Sequence, residues 1–210
     1  MTVWKAAAVI AALGWSGIAA AQDEAGPPVA PAGLVESFAL PAQDAGGVWA
    51  TPNRALTPAE TVWHLRVALN VAALGCRGEG EARMVAAYNV WLDGAKAALA
   101  EASDGTAAAY RVRAGAGWQA AYDGDMTRLY NFWAQPAVHD GFCAAADAVL
   151  QEAAVVEPGN LGWFAADALS RLEAPFIAFF DAAARYRTAM ATWRAARAPQ
   201  VAAVLPTSAP

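Results

Sequence analysis

The chain has 210 residues, of which 58% are hydrophobic and only 16% charged, a length for one or at most two domains. Its 14 basic and 19 acidic side chains leave a net charge of −5, without the basic footprint that a nucleic-acid binder needs to displace counterions. The same balance argues against docking on anionic lipid. Much of the apolar content is alanine, the best helix former but a residue that buries little area, so the larger side chains must supply most of the cohesion.

Residues 1–21 read as a secretory signal peptide. Lys5 and the amino terminus form a short positive region, Ala6 to Ile18 an apolar one, and Ala19-Ala20-Ala21 a small-residue cleavage site before Gln22. An uncut membrane anchor is the alternative, but the run is short and alanine-rich for a span. No cysteine follows it to take a lipid, and no later segment is long and apolar enough for a transmembrane helix. Cleavage removes Lys5 alone among the charged residues, leaving 13 basic against 19 acidic side chains, a net of −6. The mature protein is expected in the periplasm or outside a Gram-negative cell.

Residues 22–56 form a leader rich in proline and glycine (Pro27, Pro28, Pro31, Pro41, Pro52; Gly26, Gly33, Gly46, Gly47), read as flexible or extended. Within it Leu34, Val35, Phe38 and Leu40 are candidates for a strap onto the domain. The bundle proper is expected over residues 57–197. Thr57-Pro58-Ala59-Glu60 opens its first helix with a capping box and proline in the first position. Val62, Leu65, Leu69, Ala72 and Cys76 then make a buried stripe that ends near Gly75.

A second helix is expected from Glu79 to Ala102, with Met84, Tyr88, Trp91, Leu92, Ala95 and Leu99 on its apolar face and Ser103-Asp104-Gly105 as its stop. Glu79 and Arg83 stand one turn apart on its outside. Thr106 to Trp133 keeps a helical stripe through Trp118, Tyr122, Met126, Leu129 and Trp133 but carries Gly115, Gly117 and Gly124, so it is one bent helix or two. Gln135-Pro136 closes that segment, and a fourth helix runs from Gly141 to Val155. After a loop at Glu157-Pro158-Gly159-Asn160 comes a fifth, with Leu161, Phe164, Ala168, Leu169 and Leu172. Pro175 should kink or break it. A sixth carries Phe176, Phe179, Phe180, Ala183 and Tyr186. Asp167–Arg171 and Asp181–Arg185 repeat the acid-then-base spacing. Residues 198–210 read as a disordered tail. The class is all-α, a bundle of five to six helices.

The chemistry-bearing residues are few. Cys76 and Cys143 are the only cysteines, and an exported pair normally oxidises. Two buried free thiols are the alternative. Glu60 and His64 lie one turn apart, yet no third ligand is spaced to complete a metal site, and His64 reads as a residue at the edge of the core. His139-Asp140 could serve as an acid-base pair and lies near Cys143 in sequence, which raises the idea of a thiol hydrolase, but a disulfide would remove the nucleophile. Asp123-Gly124-Asp125 begins like a calcium loop and then fails, with Arg128 where a glycine belongs and Ala134 where the bidentate glutamate belongs. It reads instead as a helix break with capping aspartates. Glu60, Glu79, Glu81, Glu101 and Glu173 have ordinary helix-surface explanations, although two distant acids could still pair for glycoside hydrolysis. No motif calls for a cofactor.

Tryptophan is the one excess: nine in all. Trp49, Trp63, Trp91, Trp118, Trp133, Trp163 and Trp193 fall in the mature chain, several on the apolar stripes. Core packing is the plain reading. The sharper one is a groove for a sugar or small apolar ligand lined by Trp63, Trp91, Trp118 and Trp133.

The stretch Thr61 to Cys76, ending Leu69-Asn70-Val71-Ala72-Ala73-Leu74-Gly75-Cys76, together with Tyr88-Asn89 and the run from Tyr122-Asp123 to Phe142-Cys143, resembles a functionally uncharacterised family of small exported helical proteins of Gram-negative bacteria. The likeness covers about the middle half of the chain, and its most specific part is the two cysteines in their settings. It implies a Cys76–Cys143 pair and supplies no activity, cofactor or binding residue. The expectation is an exported, non-catalytic binding or structural protein of the envelope, acting on an envelope protein or a small apolar or sugar ligand. An envelope hydrolase with a carboxylate site on helices is the alternative. Mass spectrometry of the protein recovered from the periplasm should find Gln22 as its first residue and no titratable thiol; a cytosolic species that retains Met1 would contradict both expectations.

Overall fold

The computed structural model describes residues 26–197; the stretch 1–21 read as a signal peptide and the residues 198–210 read as a tail lie outside the described residues. Among the described residues six α-helices, joined in part by short 3-10 turns, pack into one bundle: α1 (Pro58–Gly75), α2 (Glu81–Gly94), α3 (Lys96–Ala114), α4 (Trp118–Trp133), α5 (His139–Ala153) and α6 (Leu161–Arg197). Among the described residues the only strand-like feature is a single bridge between Gln43 and Trp49.

Helix α1 is the axis. It begins as its sequence dictates, with Thr57 Oγ1 accepting from the Glu60 backbone and the Glu60 carboxylate accepting from the Thr57 backbone at 2.9 Å. It packs against all five other helices. Val62, Leu65, Leu69, Ala72 and Cys76 are buried as the stripe predicts, but so are Val67, Ala68 and Ala73 on other sides. Cys76, just past its end, is bonded to Cys143 in the second turn of α5, with Cα atoms 5.6 Å apart and a sequence separation of 67. On the chain-entropy model a closed loop of that length stabilises the fold by about 4 kcal/mol.

The break between the second and third helices falls at Ala95, not at Ser103-Asp104-Gly105, which lies inside α3. Gly105 is there for contact rather than as a stop: a Cβ on it would stand 2.6 Å from the Ala59 Cβ of α1. The packing of α3 on α1 overrides the low helix propensity of the triplet. The buried Thr106 hydroxyl is satisfied by Ala102 O at 2.7 Å. Helix α3 ends at Gly115, whose φ of 55° only glycine adopts cheaply. Helix α4 then runs through Asp123-Gly124-Asp125 without interruption, so these aspartates cap nothing. Helix α5 starts at His139, earlier than Gly141.

Pro175 does not divide the last segment. Helix α6 is a single element of 37 residues with the proline inside it. Leu172 and Phe176 on either side are fully buried, and Gly141 of α5 leaves room for the proline ring, whose Cβ would stand 3.1 Å from any Cβ at that glycine. Tertiary packing on both flanks outweighs the lost backbone hydrogen bond. Phe132, Trp133, Phe142 and Phe176 form one aromatic cluster, with Phe132 and Phe176 stacked at 4.5 Å. On the surface, Arg171 pairs with Asp167 as the spacing predicts and also with Glu152, while Arg83 pairs with Asp147 of α5 rather than with Glu79.

The leader is irregular, as its composition predicts, but it takes the strap arrangement. Leu34, Phe38 and Leu40 pack on the core, whereas Val35 is exposed. Phe38 meets Phe179 edge-on at 5.2 Å, and Trp49 is buried against Phe180 with its indole N–H donating to Asp181 at 2.9 Å. Arg187 donates to the Phe38 carbonyl. Asp44 Oδ1 accepts from the backbones of Gly46 and Val48 and so turns the chain before Trp49. Two helical glycines separate contact from propensity. Gly105→Ala should destabilise the fold by about 1–3 kcal/mol through overpacking. Gly124→Ala, whose Cβ meets only the Arg128 tip at 3.5 Å, should stabilise it by about 0.5–1 kcal/mol. Urea titration of both variants checks the opposite signs.

Candidate functional site

The capping box that starts α1 also places a carboxylate inside the protein. Glu60 is 2% exposed. Its Oε2 accepts from the Thr57 backbone and from the Thr57 hydroxyl at 2.7 Å, and its Oε1 accepts from Arg113, near the end of α3, at 2.5 Å. One turn along α1, His64 is also buried. Its Nδ1 lies 2.9 Å from Asn53 Oδ1, and Asn53 Nδ2 donates to Glu173 of α6 at 2.8 Å. The Asn53 amide is thereby oriented: its nitrogen faces the carboxylate and its oxygen faces the imidazole. His64 Nδ1 must then carry the proton, which leaves Nε2 as an acceptor.

Glu60, His64 and Arg113 border a hollow of about 520 Å³ between the end of the leader and helices α1, α3 and α4. Ala50, Pro52, Ala55 and Leu56 form an apolar wall. Facing it, Tyr110 of α3 donates to Asp125 Oδ2 at 2.9 Å, and the Arg113 guanidinium lies 4.4 Å from the Tyr110 ring centroid. Arg128, one turn after Asp125 on α4, is paired with it. Arg54, from the leader, completes the lining and donates its Nε–H to the Trp49 carbonyl at 3.2 Å.

Burial would raise the Glu60 pKa, but the Arg113 hydrogen bond, the two Thr57 contacts and the Arg113 charge outweigh it and hold the carboxyl below its ordinary value. Burial pushes His64 down to about 4, against the pull of the Glu60 and Asp125 charges and with the help of Arg113. Burial, with the hydrogen bond to Asp125 and its charge, lifts Tyr110 to about 12. At neutral pH the hollow therefore holds an ionised Glu60, a neutral imidazole and a phenol that keeps its proton.

The four tryptophans do not form a groove. Trp91 and Trp133 are core residues, 2% and 1% exposed, and their rings fill volume that alanine leaves open. Trp63 is half-buried beside Arg66, and Trp118 lies under Arg111 at 4.5 Å. None of the four borders the hollow. His139 comes within 3.6 Å of Cys143 Sγ, but that sulfur is bonded to Cys76 and is no nucleophile. Among the described residues no group of three or more His, Cys, Asp or Glu side chains is placed to hold a metal ion, and no helix is long and apolar enough to cross a membrane. A second hollow, about 560 Å³, lies between Leu34, Val35 and Glu36 of the leader and Tyr186, Arg187, Met190 and Arg194 of α6; none of its bordering residues is a buried ionisable group.

Sequence reasoning paired Glu60 with His64 by spacing but passed over Asn53, Arg54, Tyr110 and Arg113 and assigned Asp125 and Arg128 to a failed calcium loop. A usable signal was present in part: Tyr110 and Arg113 stand three apart on α3, as Asp125 and Arg128 do on α4. Compared with known proteins, the chain matches no family model, no curated protein and no solved structure.

The His64 shift has a defined sign. A histidine held neutral in the fold takes up its proton on unfolding, so its contribution is complete above about pH 6.5 and is lost as the pH falls toward 4. The whole step is worth about 3 kcal/mol. Urea midpoints measured from pH 7 to pH 4 should fall accordingly, and His64→Gln should flatten that slope; an unchanged slope in the variant would assign the proton uptake to another group.

Proposed function

We propose that the protein is exported to the periplasm or beyond, belongs with the small exported helical proteins its cysteine settings resemble, and acts as a non-catalytic binding protein of the envelope. Its ligand site is the hollow bounded by Arg54, Glu60, His64, Tyr110, Arg113, Asp125 and Arg128. The observation that carries this reading is the convergence of polar side chains from the leader, α1, α3 and α4 on one open hollow, with two of them, Glu60 and His64, buried. Burying a carboxylate and an imidazole costs free energy that a purely structural apolar contact would avoid. The disulfide supports an oxidising compartment.

The hydrolase alternative is disfavoured by the same groups. A carboxylate hydrolase needs an acid that keeps its proton near neutrality. Glu60 is held ionised by Arg113, and Asp125 is tied to Arg128 and Tyr110. His64, at about 4, is too weakly basic to be an efficient proton acceptor at pH 7.

A thermal-shift screen of the mature protein against small acids, neutral sugars and short peptides tests the reading. At least one class should raise Tm in the parent and not in Arg128→Gln, whose side chain is exposed and whose loss should leave the fold intact. Release of reducing sugar from peptidoglycan by the parent, abolished in Asp125→Asn, would replace binding by hydrolysis.

A further inference from the structure

Charge and hydrogen-bond polarity in the hollow together define a ligand class, an inference that rests on the binding reading above. Three guanidinium groups border the space, Arg54, Arg113 and Arg128, against two carboxylates, Glu60 and Asp125. With His64 neutral, the lining carries one net positive charge. Arg113 is committed to Glu60 and Arg128 to Asp125. Arg54 uses its Nε–H on a backbone carbonyl and has no carboxylate within ion-pair distance among the described residues, so its two terminal nitrogens are left to meet an anion. A cation would have to take Glu60 or Asp125 from an arginine that already holds it, whereas an anion adds to the existing pairs without breaking one.

The opposite requirement comes from His64. Its Nδ1 proton is spent on Asn53, so Nε2 presents a lone pair and welcomes only a donor. A bare acceptor such as acetate satisfies Arg54 and offers nothing to Nε2. A ligand that uses both groups combines an anionic group with an O–H or N–H donor. The wall of Ala50, Pro52, Ala55 and Leu56 suits a short hydrocarbon body, with the Thr51 hydroxyl the one polar side-chain group among them.

We propose that the hollow binds a small organic acid bearing a hydroxyl or amino donor beside its carboxylate, with Arg54 taking the carboxylate and His64 Nε2 accepting from the donor. The pairing of a planar guanidinium with a carboxylate gives both charge and geometric selection.

The test titrates the mature protein, labelled for observation of histidine and arginine side chains by NMR, with lactate, alanine, acetate, inorganic phosphate and glucose. Lactate or alanine should shift the His64 and Arg54 resonances saturably, and acetate should bind at least about tenfold more weakly, a difference of ~1.4 kcal/mol. Arg54→Gln should weaken lactate or alanine by about tenfold or more. His64→Leu should erase the preference over acetate, while Arg185→Gln on α6 should change nothing. Equal binding of acetate, or binding of phosphate alone, overturns the assignment. Saturable shifts with glucose and none with the acids overturn the ligand class while leaving the binding reading standing. No response to any of the five overturns the proposal and, with a blank thermal-shift screen, the binding reading as well.

Discussion

A helix buried on nearly all sides is the constraint on which this structure depends. Helix α1 touches every other helix, and alanine is what allows it: Ala68, Ala72 and Ala73 bring neighbouring backbones close. Small side chains let helices approach but leave little apolar area to bury. The deficit is met elsewhere, by the cluster of Phe132, Trp133, Phe142 and Phe176 and by the strap that adds Phe38 and Trp49 over Phe179 and Phe180. The disulfide fixes the C-terminal end of α1 to α5. The excess of aromatic rings and the excess of alanine are thus two sides of one packing solution.

Because α1 is buried so completely, its polar residues become interior groups. Glu60 begins as an ordinary capping residue, a role worth about 1 kcal/mol at a helix start. The arrival of α3 then seals it from water, and a lone buried carboxylate would be prohibitive. Arg113 supplies the compensating charge, and Thr57 fills the other oxygen. His64 meets the same burial by staying neutral and by using Asn53, itself held by Glu173. Each solution draws on a different element, so the polar hollow is a consequence of how the bundle closes.

Much of the fold was legible. The start of α1, its buried stripe, the cysteine pair and the phenylalanine face of α6 follow from spacing and residue type, since an apolar side chain at a helical interval has few places to go. The errors share a cause. Ser103-Asp104-Gly105, Asp123-Gly124-Asp125 and Pro175 all look like helix breakers, and none breaks a helix. At Gly105 and Pro175 the residue serves a contact with another helix, with Ala59 in one case and Gly141 in the other. Local propensity costs about 1 kcal/mol at a glycine, which packing readily exceeds. For the tryptophans the plain reading of core packing holds at Trp91 and Trp133, whose rings fill the interior, and the groove reading does not.

By itself the sequence determined the helical class, the helix start at Thr57, the residues of the central stripe and the pairing of its only two cysteines, all of which rest on near neighbours or on there being no other partner. Only the tertiary structure decided where the helices actually break, how the leader lies and which polar groups meet. Glu60 and Arg113 are 53 residues apart and Asn53 and Glu173 are 120 apart; no periodicity connects them. Their meeting depends on the angle and register at which whole helices pack, a quantity summed over many weak contacts and carried by no single residue.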